Sequence, residues 1–510
     1  MLNSEQWAYV AIENFPKGDD LMEIQKTVLS AETLVGSATA QAQLESAIPL
    51  PSGVRSEKVL SCEPDVRVRE TLCTKDGVQV TGLLLLHLVV ETDANRPLSF
   101  DASATFTHEL SLPGTTTEMT ARAAAYAPAC TCRVEEGGLR MQATLLLRAE
   151  VFSTERETCI AGIDDAKGLE TQGESIRLVR RTLLGAHAIR VKETLDAPEN
   201  LSLLTVHGTA EVGRIANGSG GLMLEGTLTV TALYYDGEGG AVPKVYAIPF
   251  SDSIDAEPNP QPSASAEVTQ LEVNYDSDGE LAIEAVLSLG VYGIAEETAW
   301  VLSDAYDSEG SFSCETKPVQ CLNYVGERSR TTVLREPIYV PGHLKDVTRV
   351  LYVTATPAIT DTVVNEREAS IDGLLLLSVV YRADDGRLYG FKTDLPLSLP
   401  LEPFGTLLLP EITVRSAEAT GSGRTLSCTV ELKYGGEWYR QETARFTTDL
   451  KPGVPRDPHE GILVYFPDRG ETVFSIGKRF GIPTAAIRAQ NPTLSEPIPD
   501  GASVLLMRGR

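Results

Sequence analysis

The sequence predicts a mainly β protein: three tandem all-β domains of about 145 residues, then a small module of two strands enclosing two helices. Three observations predict it. A set of landmark motifs occurs three times in the same order. Every copy contains a run of strict apolar/polar alternation, the period of a half-buried strand. Only the last fifty residues change to a helical period.

The first landmark is a short segment ending in glycine, at Gly36, Gly185 and Gly326, with a proline downstream at Pro51, Pro198 and Pro341. In copies one and three the glycine-to-proline interval is the same, 15 residues. The second is a glycine that opens an apolar strand: Gly82 to Val90, Gly226 to Tyr234 and Gly373 to Tyr381. Asp236-Gly237 and Asp384-Asp385-Gly386 follow in copies two and three and mark hairpin turns. The third is the alternating strand, with Leu139, Met141, Ala143, Leu145 and Leu147 on one face in copy one. Leu281, Ile283, Ala285, Leu287 and Leu289 match it in copy two, and Leu426, Cys428, Val430 and Leu432 in copy three. These three strands are expected to hold equivalent places in their sheets. A repeat this long encloses its own core, so it is a domain and not a solenoid unit.

The expected division is an N-terminal segment 1–21, β domains at 22–170, 171–316 and 317–451, a proline-rich linker 452–458 and a C-terminal module 459–510. Polar stretches 162–175 and 304–319 read as linkers, and the repeats as an elongated scaffold. The linker holds Pro452, Pro455 and Pro458, which suggests a stiff but loose attachment of the module.

Within the module, residues 462–466 form a strand. Thr472 is an N-cap for a helix with Val473, Ile476, Gly477 and Phe480 on one face, stopped by Gly481. Pro483 suits the first residue of a second helix, which ends at Asn491-Pro492, and residues 503–507 close the module as a strand.

Composition removes several classes. The chain has 44 Lys and Arg against 71 Asp and Glu, a net charge of −27. That opposes a nucleic-acid binder and docking on an anionic membrane. The apolar run from Gly82 to Val90 is far too short to cross a bilayer as a helix, so no membrane insertion is expected. The first twenty residues lack the basic and apolar regions of a signal peptide, which points to the cytoplasm. Eight cysteines without a regular framework fit reduced, structural thiols. Cys130-x-Cys132 lacks the second half of a zinc site. Charge is uneven: residues 459–510 carry +1 and the remainder −28.

The sequence contains no G-x-S-x-G elbow, phosphate-binding loop or H-E-x-x-H helix. His87 lies in an apolar strand and reads as a satisfied core or edge residue. The acid pairs Asp164-Asp165, Glu296-Glu297 and Asp384-Asp385 fall in expected turns and loops. The expectation is a non-catalytic protein with no catalytic residues, cofactor or metal.

From Tyr465 to Ile482, with Asn491-Pro492 and residues 498–504, the module resembles a LysM domain. Pro467 in place of an aliphatic residue and Glu471 in place of aspartate depart from the family pattern. The resemblance implies a shallow groove for N-acetylglucosamine glycans between two loops. Here they are Asp468, Arg469, Gly470, Glu471 and Thr472, facing Asn491, Pro492, Thr493, Leu494 and Ser495. Gly470, Thr472, Asn491 and Pro492 have a second reading as turn and cap residues alone. Neither loop contains an aromatic residue for sugar stacking.

Around Gly36–Val66 and Gly326–Ile359, where Pro51 and Pro341 precede Val-Leu strands, the repeats resemble the SPOCS domain of spore-coat proteins. SPOCS-like units followed by LysM are similar in layout to spore coat morphogenetic proteins. This implies a scaffold or adaptor in the mother-cell cytoplasm that assembles at the forespore surface and docks to a spore coat morphogenetic protein through its LysM module. The alternative implied is a binder of peptidoglycan or chito-oligosaccharide in the cell wall or spore cortex.

Overall fold

The computed structural model describes residues 11–17, 20–92, 97–164, 168–196, 198, 201–218, 221–236, 241–256, 259, 262–275, 280–310, 312–453 and 461–508. It is mainly β, in repeated small antiparallel sheets. After β1 (Ala11–Lys17), repeat one runs β2 (Asp20–Ile48), β3 (Ser56–Thr74), β4 (Gly77–Thr92), β5 (Pro97–Ser111), β6 (Thr120–Glu135) and β7 (Gly138–Asp164). Repeat two runs β8 (Leu169–Asp196), β9 (Ser202–Gly218), β10 (Gly221–Tyr235), β11 (Ala241–Ile254), β12 (Ser263–Tyr275) and β13 (Glu280–Asp307). Repeat three runs β14 (Phe312–Tyr339), β15 (Val347–Val364), β16 (Ala369–Ala383), β17 (Leu388–Leu401), β18 (Thr406–Thr420) and β19 (Thr425–Pro452).

Each repeat is the same sandwich. Its first, sixth and fifth strands form one sheet with the sixth in the middle, and its second, third and fourth form the other with the third in the middle. The three alternating strands β7, β13 and β19 therefore occupy equivalent central places, as their shared register predicts. Their apolar faces bury against β4, β10 and β16 in three separate cores. β1 extends the first sheet by pairing with the outer end of β2.

The glycine landmarks have structural causes. At Gly36, Gly185 and Gly326 the pairing register shifts, leaving one extra residue in the long first strand. Such a bulge bends and twists the strand. At Gly82 and Gly226 an added Cβ would stand 2.4 and 2.3 Å from the rings of Phe106 and Phe250 on the neighbouring strand. Only glycine leaves room for those rings.

Beyond the bulge each pair of long strands leaves its sandwich and continues as a two-stranded ribbon: β2 with β7, β8 with β13, β14 with β19. A ribbon of two strands is marginal in water because one of its faces stays wet. Here three ribbons cover one another. Leu29, Leu178 and Val319, each seven residues ahead of its landmark glycine, meet in one cluster with Ile176, Val301 and Phe446. Farther out, Ile24, Ile160, Leu302, Phe312 and Leu450 form a second shared cluster. The sandwiches also meet: Val89, Leu233 and Val380, each seven residues after Gly82, Gly226 or Gly373, pack together with Leu60, Leu204 and Leu351.

The repeats are therefore gathered side by side around a common axis and are not strung end to end as an elongated scaffold. The polar stretches 162–175 and 304–319 are largely ribbon, because β7 runs to Asp164, β8 starts at Leu169, β13 ends at Asp307 and β14 starts at Phe312. Their wet faces gave them a linker-like composition. Within 452–458, Pro452 still pairs with Phe312, and residues 454–458 lie outside the described residues.

A buried charge stands where ribbons and sandwiches join. Glu437 on β19 receives Arg122 of repeat one at 3.3 Å, Arg181 of repeat two in a closer contact, and the Tyr439 hydroxyl at 2.6 Å. One carboxylate thus ties all three repeats. The Arg181 guanidinium also lies 3.7 Å from the Tyr292 ring centre.

Candidate functional site

The C-terminal module orders as β20 (Gly461–Tyr465), α1 (Val473–Phe480), α2 (Thr484–Gln490) and β21 (Val504–Arg508), with β20 antiparallel to β21. Val473, Ile476, Ile482, Ile487, Val504 and Leu506 form its core. α1 begins in a reciprocal capping box. The Ser475 amide donates to Thr472 Oγ1 at 3.1 Å, and the Thr472 amide donates to Ser475 Oγ at 2.9 Å. Gly481 ends it at φ 64°, the left-handed C-cap glycine favours. Pro483 is the N-cap of α2 and not its first helical residue, since its ψ of 140° is extended.

Glu496, the residue after the second candidate loop, links the residue after the first loop to α2. Its carboxylate accepts the Val473 amide at 2.8 Å at the start of α1 and pairs with Arg488 of α2 at 2.5 Å. Glu471, one residue ahead of the Thr472 N-cap, does not fill this place. Glu471 instead accepts the Tyr465 hydroxyl at 2.7 Å and the Asp468 amide at 2.8 Å, and pairs with Arg479 at 2.8 Å. Burial raises the Glu471 pKa, but these hydrogen bonds and Arg479 outweigh it, so the pKa is lowered from 4.5.

The polar side chains named from the family pattern divide in two. Thr472 is used by the capping box. The Asn491 amide nitrogen donates to the Ile487 and Leu505 carbonyls at 2.8 and 2.7 Å, and its oxygen accepts the Leu505 amide at 2.7 Å. Asn491 therefore clamps α2 to β21. Asp468, Arg469, Gly470, Pro492, Thr493 and Ser495 are exposed, and Leu494 packs partly on the core. An aromatic does stand beside the first loop: Phe466, two residues before Asp468, is 66% exposed. Counting only residues inside the loop missed it.

The module is seated on the β8–β13 ribbon of repeat two. The Tyr306 hydroxyl of β13 donates to the Ile482 carbonyl at 2.9 Å, and its ring meets Phe474 edge-on at 5.1 Å. Lys478 pairs with Asp304 at 2.5 Å, and the Thr484 hydroxyl donates to Glu170 at 2.7 Å. The loose attachment expected from the prolines is thus replaced by a docked one. Among the described residues, none of the ten groove positions makes a hydrogen bond or ion pair to the repeats.

Elsewhere several of the acids and histidines singled out from sequence have partners. Glu296 pairs with Arg177 at 2.6 Å, and Asp385 accepts the Arg387 amide and the Tyr389 hydroxyl. Asp165 lies outside the described residues. His87 Nδ1 is 2.7 Å from Asp101, and its Nε2 is 2.7 Å from the Thr205 hydroxyl. That order resembles a nucleophile–base–acid relay. Thr205 is only 4% exposed, against the neighbouring repeat, so no substrate reaches its oxygen. Beside it, His207 lies 3.4 Å from the buried Glu63, again across repeats one and two. Among the described residues no group of three or more His, Cys, Asp or Glu could hold a metal ion, and no helix is long and apolar enough to cross a membrane.

Comparison with known proteins finds no matching family model, no matching curated protein and no matching solved structure.

Proposed function

We propose that this protein is a non-catalytic assembly scaffold or adaptor of the spore coat, whose LysM-like module docks to a coat morphogenetic protein. The observation that carries this reading is the seating of the module on the three-repeat body with both candidate loops uninvolved in that contact. A module held in one orientation presents its surface without the ordering cost of a free tether. Protein is favoured over glycan as the ligand because the Thr472 and Asn491 side chains are already used internally. The outer face of the β20–β21 sheet adds exposed Ile462, Val464 and Met507 to Phe466, an apolar surface of the kind protein partners cover.

A second reading, binding of peptidoglycan or chito-oligosaccharide, is favoured by Phe466 alone, which supplies the aromatic platform absent from the loops.

Two measurements test the proposal. A fluorescent fusion followed through sporulation should form a ring at the forespore surface; diffuse signal in vegetative cells alone defeats the spore-coat reading. The full chain should also be titrated with chito-oligosaccharides and peptidoglycan fragments. Saturable micromolar binding lost in Phe466→Ala and Arg469→Ala moves the protein to the glycan-binding class.

A further inference from the structure

We propose that Cys62 and Cys132 are a disulfide-forming pair that staples the two sheets of repeat one to each other. Cys62 is on β3 and Cys132 on β6, strands of opposite sheets. Their sulfurs are 3.1 Å apart, and Cys130 Sγ stands 3.6 Å from Cys62. A disulfide needs about 2.05 Å, so roughly 1 Å of closure makes the bond. Cys130 and Cys132, two apart on one strand, point to the same face and both converge on Cys62.

The site is built from outside the repeat as well. Lys392, on β17 of repeat three, donates its ammonium to the Cys62 carbonyl at 2.5 Å and the Cys130 carbonyl at 2.7 Å. One cation thus clamps together the two strand segments that carry the sulfurs. Cys62 and Cys130 are buried, whereas Cys132 is partly exposed and is the sulfur a reagent meets first.

The oxidant is a small-molecule disulfide. Cys132, as thiolate, attacks one of its sulfurs, and the leaving thiolate takes up the proton Cys132 gave away. Cys62 then loses its proton and attacks the Cys132 sulfur of the mixed disulfide, expelling a second thiol. Two protein thiols are oxidised and one external disulfide is reduced to two thiols. Hydrogen bonding to Cys130 and then burial push the Cys62 thiol up to about 12, the hydrogen bond with Cys132 acting the other way. The hydrogen bond with Cys130 lowers the Cys132 thiol, but that with Cys62 and burial outweigh it and leave it at about 12, so both attacks speed up as pH rises.

The test treats the folded full chain with oxidised glutathione at mildly alkaline pH, then maps peptides without reduction. The expected result is a Cys62–Cys132 linkage with the free thiol count lowered by two, formed faster at higher pH. It should persist in Cys130→Ser and disappear in Cys132→Ala, while Cys428 in the core of repeat three stays reduced. Cys132 stopping as a glutathione adduct, no loss of thiols in the folded chain, or a bond from Cys130 in place of Cys132 would each overturn the proposal.

Discussion

Replacing Glu437 with alanine tests how the three repeats are held. The substitution removes a carboxylate that is 8% exposed and leaves the Arg181 side chain, 12% exposed, as a buried charge without its anion. It also strips the Tyr439 hydroxyl of its acceptor. Breaking one side of a buried pair costs about 3–5 kcal/mol. The Arg122 contact is a third exposed and adds little. A loss of about 4 kcal/mol, set against roughly 2.1 cal/mol/K per residue over roughly 440 residues, lowers the melting temperature by about 4 °C if the body unfolds as one unit. If repeat three unfolded alone, roughly 140 residues would carry the same loss and its own transition would fall by about 14 °C. Differential scanning calorimetry distinguishes the two. A single transition displaced by a few degrees is expected, with Arg177→Ala at the exposed Glu296 pair as a variant that leaves it in place. An unmoved transition, or one moving among several, refutes the reasoning.

Three further outcomes follow from the same geometry. Asn491→Ala deletes three side-chain hydrogen bonds, one to Ile487 of α2 and two to Leu505 of β21, and should destabilise the C-terminal module by about 2 kcal/mol, read as earlier loss of amide protection in α2 with the repeats unaffected. Gly477→Val, whose Cβ would stand 2.2 Å from the Tyr306 hydroxyl, should undock the module and accelerate its proteolytic release; an unchanged cleavage rate would mean the seating carries no stability. The Glu63–His207 contact sets a pH window. Burial lowers the His207 pKa, but Glu63, with Asp101 and Asp65 behind it, outweighs this and leaves it raised above 6.5. Burial likewise raises the Glu63 pKa, but His207, His87 and Ser61 bring it below 4.5. The histidine's contribution is present in full below its unfolded pKa and fades as pH rises through the raised value. The glutamate's contribution fades as pH falls through the lowered one. The melting-temperature difference between wild type and His207→Ala should thus be largest in mildly acid solution and shrink above neutrality; a difference that grows with pH contradicts the assignment.

Much of each sandwich was legible in the sequence. The alternation around Leu145, Leu287 and Val430 places the central strand, and Gly36, Gly185 and Gly326 recur as landmarks, although only the pairing register reveals that each marks a bulge. The gathering of the repeats was not read, although its signal is present. At Leu88, Val89 and Val90 alternation gives way to consecutive buried residues, because one face meets the sandwich core and the other meets the neighbouring repeats. Periodicity reports that a second face is apolar; it does not report what covers it. Along the ribbons the signal is weaker, since their solvent faces are polar enough to pass for linkers. In the module, caps and strands followed from Thr472, Gly481 and Asn491. Glu496 and Phe466 were missed because their roles depend on which loop lies opposite and which sheet face stays bare.

The central claim, that the three repeats form one body around a shared axis, is tested most directly by zero-length carbodiimide crosslinking of the monomer followed by peptide mapping. Lys317 of repeat three pairs with Glu157 of repeat one, and Lys433 of repeat three stands 3.8 Å from Glu211 of repeat two. The account predicts amide bonds at Glu157–Lys317 and Glu211–Lys433, each lost in the corresponding Lys→Arg variant. Crosslinks confined to pairs within single repeats, such as Lys192–Glu284 and Lys451–Glu315, would contradict it.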